Sequence, residues 1–205
     1  MTDICFLITT YNRKEYCQRL VDSLQGLGEV VVALDGTDYS ISGALNLNPK
    51  KHLGKAGYWK LINMLFRHRI QSKYYFILPD DFAISESQIK EAINTWDRIK
   101  DTRKMCLNLL TNRIGVACWT LFKPIDKGSV WQTGWVDMCF ICEDKFFAVL
   151  GDIPDLHRHP KARGSSGVGA YISRYLKRKG FNMYQVKEEL ATPTEAHLTS
   201  QMHHA

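Results

Sequence analysis

The stretch that decides the fold is Tyr74-Tyr75-Phe76-Ile77-Leu78-Pro79-Asp80-Asp81. Its apolar run shows no alternation, which predicts a strand buried on both faces, as in a parallel sheet covered by helices. Pro79 ends the run, because proline has no N–H to give to a ladder. Two adjacent carboxylates follow. Neighbouring side chains alternate across a strand, so Asp80 and Asp81 cannot point to one face. One of them can project into a strand-end cleft and take Mg2+ or Mn2+, which prefer oxygen ligands. The other can brace the loop or meet a ribose hydroxyl. A plain acidic turn before the next helix explains the same pair without any ligand, and both readings stand at this point.

Outward from that strand, the first half alternates between two periodicities. Ile4–Thr9 and Glu29–Leu34 are short apolar runs, hence buried strands. Lys14–Gln25 carries Cys17, Leu20, Val21 and Leu24 at helical spacing and stops at Gly26 and Gly28. Lys55–Arg69 sets Tyr58, Leu61, Ile62, Leu65 and Phe66 on one helix face, and Glu86–Lys100 does so with Ile89, Ile93 and Trp96. The second half predicts strands at Met105–Leu110 and Val116–Phe122, paired antiparallel, then a strand Met138–Cys142 running into a helix through Phe146, Phe147 and Leu150. A polar, basic loop spans 152–166, followed by a helix Val168–Lys179 and a last strand Phe181–Val186. Strands separated by helices predict an α/β fold with a mostly parallel sheet and helices on both faces. No repeat or linker divides the chain, so 1–205 is read as one domain, with two halves, 1–104 and 105–205.

Ligands of such sheets bind beyond the carboxyl ends of the strands. Those ends carry Thr9-Thr10-Tyr11-Asn12-Arg13, Asp35-Gly36 and Pro79-Asp80-Asp81. The set suits a nucleotide whose phosphates are held through a divalent metal.

Composition narrows the classes. Of 205 residues, 45% are hydrophobic and 23% charged, which excludes a disordered or collagenous chain. No apolar run reaches the about 18–20 residues of a membrane span, and the start of the sequence shows no basic leader. A cytoplasmic location is expected, the host cytoplasm if the chain is virus-encoded. The six cysteines read as core residues in a reducing compartment; Cys139 and Cys142 have C-x-x-C spacing without the further ligands of a zinc site. There is no G-x-x-x-x-G-K-[ST] phosphate loop, no dinucleotide fingerprint after a strand and no H-E-x-x-H. The net charge of +6 is unevenly placed. Residues 156–187 hold eight basic and no acidic residues, against 19 basic and 21 acidic elsewhere. That segment is either a solvated face or a docking surface for a polyanion.

The motifs, taken in order, resemble GT-A-fold nucleotide-sugar-dependent glycosyltransferases. Thr9-Thr10-Tyr11-Asn12-Arg13 is similar to the segment that lies against the nucleotide base. Val31–Asp38 resembles the one whose acid touches the base or ribose, here Asp35. His52-Leu53-Gly54-Lys55-Ala56-Gly57 resembles an N-x-G-K helix opening, with His52 in place of Asn. Phe76–Phe82 resembles the family's acidic metal motif, with Asp81 at the ligating position. Gly134-Trp135-Val136-Asp137-Met138 is similar to the acceptor-side segment, and His197-Leu198-Thr199-Ser200 to one that closes over the diphosphate. The resemblance makes 1–104 the nucleotide-sugar-binding half and 105–205 the acceptor-side half. It implies a nucleotide-sugar donor, UDP favoured, contacted by Thr9, Tyr11, Asn12, Arg13, Asp35, Lys55 and Asp80. It implies Mn2+ or Mg2+ on Asp81, with His197 as a further contact. Many inverting relatives carry an acidic base where this chain has Ser165-Ser166-Gly167. The base is therefore sought at Asp137, then at Asp152 and Asp155, or the reaction retains configuration and needs none.

The acceptor expected from the basic segment is DNA carrying a 5-hydroxymethylpyrimidine, as in phage-type DNA-modifying enzymes. Arg158, Lys161 and Arg163 would hold the phosphate backbone, and Trp131 or Trp135 would stack on a flipped base. A small-molecule or polysaccharide acceptor, a nucleotidyltransferase and a non-catalytic nucleic-acid-binding domain are the alternatives.

Overall fold

The computed structural model describes residues 3–111, 124–156 and 167–195. Its centre is β1 (Ile4–Thr10), flanked by two parallel neighbours, β2 (Glu29–Leu34) and β4 (Tyr74–Pro79). All three are the apolar runs of the sequence, and they lie inside because every second side chain meets a different helical layer. Phe6 and Ile8 pack with Leu20, Val21 and Leu24 of α1 (Lys14–Leu24) and with Ile89 and Trp96 of α3 (Glu86–Arg98). Cys5 and Leu7 pack on the other face with Leu61, Ile62 and Leu65 of α2 (Gly54–Arg67), Phe146 of α4 (Asp144–Leu150), and Ile172 and Leu176 of α5 (Val168–Arg178). Ser85 caps α3 in a reciprocal box with Gln88, which fixes where the chain turns after the acidic pair.

The described strands form a nine-stranded sheet in the order β3-β2-β1-β4-β9-β6-β10-β8-β7. The added members are β3 (Leu45–Leu47), β6 (Lys104–Asn108), β7 (Ile125–Asp126), β8 (Val130–Thr133), β9 (Phe140–Cys142) and β10 (Asn182–Val186). Only β8 and β9 run against the rest, so the sheet is mostly parallel in strand direction, as expected. The antiparallel partner of β6 is β9, inserted between β4 and β6. The expected strand Val116–Phe122 lies outside the described residues, as does Cys118. A two-stranded ribbon joins β5 (Phe82–Ala83) to β11 (Thr192–Pro193), and Thr194 donates to the carbonyl of Asp81 through both its amide and its hydroxyl. Among the described residues, no helix is long and apolar enough to cross a membrane.

Candidate active site

Backbone bonds hold the three central strand ends side by side. The Asp35 amide donates to the Thr10 carbonyl at 3.0 Å, and the Asp80 amide to the Thr9 carbonyl at 3.2 Å. Beyond them opens a cleft of about 590 Å³ lined by Thr9, Tyr11, Asp35, Lys55, Tyr58 and Asp81, among others. A larger groove of about 670 Å³ lies between α1 and the β5–β11 ribbon. The smaller cleft is the candidate site, because it gathers three nearly buried carboxylates, whereas the larger groove has only the exposed Glu195.

Asp80 is held on both oxygens. Thr10 Oγ1 donates to Oδ2 at 2.6 Å and Arg13 Nη1 to Oδ1 at 3.0 Å. Burial pushes its carboxyl up to about 6, while the Thr10 and Arg13 bonds pull the other way. The same Arg13 nitrogen lies 3.4 Å from Oδ2 of Asp81. Asn12, with φ of 53°, takes the left-handed conformation that places Arg13 at the start of α1.

Asp35 meets the first turn of α2. Its Oδ1 accepts from the Leu53 amide at 2.7 Å and its Oδ2 from the Gly54 amide at 3.0 Å, so a carboxylate sits on the positive end of a helix. His52 Nδ1 lies 3.0 Å from Oδ2. This approach depends on Gly36, whose φ is 70° and whose missing Cβ would stand 2.1 Å from the His52 nitrogen. His52 in turn stacks on Tyr11, with centroids 4.1 Å apart and planes at 16°, which makes an aromatic platform at the mouth of the cleft.

Tyr58 reports on a fourth acid, Asp137, outside the lining. Its hydroxyl lies 3.3 Å from Thr9 Oγ1. Burial pushes it up to about 12, against the Thr9 bond, and the charges of Asp80, Asp81 and Asp137 add to the rise. Asp137 is not among the residues that line the cleft, although its charge acts on this phenol. Two polar clamps fix its loop. Asn108, at the end of β6, donates to the Trp135 carbonyl at 2.8 Å and accepts from the Asp137 amide at 3.0 Å. Ser173 of α5 accepts from the Val136 amide at 2.8 Å.

Thr9, Tyr11, Arg13, Asp35, Lys55, Asp80 and Asp81 therefore converge on one cleft, with Asn12 in the turn beside it. Asp152 does not join them. It pairs with Arg67, at the far end of α2 from the cleft, and that guanidinium holds its exposed carboxyl below the ordinary range. Asp155 is exposed and absent from the lining. His197, Arg158, Lys161 and Arg163 lie outside the described residues. The sequence reading missed Tyr58, taken as a core residue of α2, and the roles of Asn108 and Ser173. Tyr58 had one legible signal: a polar tip in the first turn of a helix that starts beside the strand ends.

Among the described residues, no three His, Cys, Asp or Glu side chains converge as a metal cage. The donor set that does exist, Asp81 beside Asp80, is of hard oxygens. It fits an ion such as Mg2+ or Mn2+ that takes one or two carboxylates and completes its shell with substrate phosphates and water.

No family model matches the sequence, and no curated protein does. Solved structures do. The mannosyltransferase PcManGT from Pyrobaculum calidifontis, in complex with GDP-Man and Mn2+, matches with a TM-score of 0.57 at 16% identity, over 94% of this chain and 55% of that one. S. aureus TarS 1-349 matches with a TM-score of 0.59 at 14% identity, over 93% of this chain and 60% of that one. This chain thus spans somewhat more than half the length of either. At such identities the likeness is one of fold, and the fold is that of the GT-A glycosyltransferases.

Proposed function

We propose that this chain is a metal-dependent glycosyltransferase that moves a sugar from a nucleoside-diphosphate sugar to an acceptor hydroxyl. The observation that carries the reading is the convergence of Asp35, Asp80, Asp81 and Arg13 on a cleft at the carboxyl ends of parallel strands. A relative of the same fold holds GDP-Man and Mn2+. The Tyr11–His52 platform offers the nucleobase a stacking face. Asp35, tied to the α2 amides, presents a fixed acceptor to the base or ribose. Lys55 and Arg13 line the cleft where a diphosphate would lie.

In the reaction, the bond from the anomeric carbon to the phosphate oxygen breaks and a bond to the acceptor oxygen forms. The departing diphosphate gathers negative charge, and Arg13 and Lys55 are placed to stabilise it. A bound Mg2+ or Mn2+ on Asp81 would add Lewis-acid stabilisation of that same charge. In the inverting case the acceptor proton passes to the carboxylate of Asp137, whose loop the Asn108 and Ser173 clamps hold still. UDP is the favoured nucleotide and GDP its rival. Thermal shift with UDP, GDP and their sugars, with and without Mn2+, tests the reading. Stabilisation by one diphosphate only when Mn2+ is present is expected, and no shift with any of them contradicts it.

For the acceptor, the reading favoured by charge is a polyanion, DNA carrying a 5-hydroxymethylpyrimidine. Its support is the segment 156–187, with eight basic residues and no acid, of which Arg174, Lys177, Arg178, Lys179 and Lys187 are exposed in the described part. Lys187 also lies 4.7 Å from the Trp131 ring, a residue suited to stacking on a base or a sugar. Duplex affinity should fall steeply with salt, and replacing Lys161 and Arg163 by Ala should flatten the slope by roughly one unit per lost contact. Activity on a neutral glycan with no duplex binding at low salt would instead select the small-molecule or polysaccharide acceptor.

A further inference from the structure

The guanidinium of Arg13 stands between Asp80 and Asp81, the acid to which the proposed reaction gives a divalent ion. One nitrogen, Nη1, is 3.0 Å from Asp80 and 3.4 Å from Asp81. The two carboxylates are nearly buried, at 6% and 11% side-chain exposure, while the arginine is 30% exposed. Thr10 fixes Asp80 from its other oxygen, so the acid is held and the cation is the partner with room to move. Arg13 occupies the N-cap position of α1 yet makes no side-chain cap bond there. Its long side chain is directed at the acids instead.

We infer that Arg13 is a counter-ion that competes with the divalent ion for Asp81 and transfers to the donor's diphosphate when that ion binds, so that metal and donor load cooperatively. The inference rests on the metal and diphosphate reading above. A divalent ion on Asp81 would meet the positive charge of Arg13 already beside that acid, and the two repel. A diphosphate removes the conflict, because its oxygens give the guanidinium a planar, two-point partner and give the ion further ligands. Each ligand then raises the affinity of the other by the same factor, as linkage requires. The sign is the informative part. A residue that merely helps to bind would, when removed, weaken everything; a competitor, when removed, strengthens metal binding to the protein alone.

The test is a titration of Mn2+, followed by electron paramagnetic resonance, on the full chain without nucleotide. Arg13→Gln should bind Mn2+ about tenfold more tightly than wild type, a factor at the low end of the roughly one to three pKa units by which a neighbouring arginine weakens proton binding at a carboxylate. Arg13→Lys, which keeps the charge, should stay close to wild type. With Mn2+ saturating, Arg13→Gln should bind UDP and GDP about tenfold more weakly. Mn2+ binding by Arg13→Gln that is equal to or weaker than wild type overturns the inference. Asp81→Asn separates the two levels: if it binds Mn2+ as wild type does, the ion is not on Asp81, and the underlying reading falls together with the inference.

Discussion

Asp81→Asn should lower metal-dependent turnover by at least about a hundredfold, roughly 2.7 kcal/mol of transition-state stabilisation, while the protein stays folded. The side chain sits beyond the end of β4 and the substitution keeps its volume. The tie to the C-terminal ribbon survives, because Thr194 bonds the backbone carbonyl of residue 81 and not its carboxylate. What is lost is a hard anionic ligand in a place where Asp80 cannot replace it, since Thr10 and Arg13 already engage both of its oxygens. Steady-state rates across a Mn2+ series, together with a melting curve, check this. Near wild-type activity at limiting Mn2+ would remove Asp81 from the metal assignment.

Asp137→Asn should lower kcat by about 10²- to 10⁴-fold, the usual worth of a positioned general base, and leave donor affinity unchanged. The amide keeps the oxygen that accepts from the Met138 amide at 2.8 Å, so the loop geometry should persist. A fall in kcat with constant donor Kd is the signature of an interaction made only in the transition state. A large loss of donor binding would move Asp137 to the nucleotide side. Unchanged turnover would mean that the proton goes elsewhere, as in a retaining reaction.

The parts of the fold that the sequence made legible are those whose environment is uniform. β1, β2 and β4 are buried on both faces, and each expected run matches the observed strand to within a residue at either end. The helices α1, α2 and α3 follow from their apolar stripes, with ends displaced by one or two residues, as helix ends fray. The strands that escaped are short and mixed in character. Leu45-Asn46-Leu47 is a strand only because β2 offers it an edge, and Ile125–Asp126 only because β8 does. The place of β9 between β4 and β6 is a matter of long-range pairing that no local pattern encodes.

The site divides in the same way. Polar residues that end an apolar strand, such as Asp35 and Asp80-Asp81, were legible, because a parallel sheet leaves its carboxyl ends as the natural cleft. Asp152 stood behind Asp137 as a candidate base, and only the resemblance ranked these two carboxylates of the irregular half of the chain. The tertiary structure separates them physically, by giving Asp152 to Arg67 and setting Asp137 between the clamps of Asn108 and Ser173. Tyr58 was hidden by its own apolar ring, which satisfied the helical stripe while its hydroxyl reached Thr9.

On the proposed function, the cleft breaks the bond between a sugar and a nucleoside diphosphate with the help of a divalent ion. Release of the free diphosphate from UDP- and GDP-sugars, followed with Mn2+ and again after chelation by EDTA, tests it most directly. Slow hydrolysis of one nucleotide's sugars in the absence of acceptor is expected, lost with EDTA, restored by Mn2+ and abolished in Asp81→Asn. Release that is indifferent to EDTA and to Asp81→Asn, or no release from any sugar nucleotide under any acceptor condition, would contradict it.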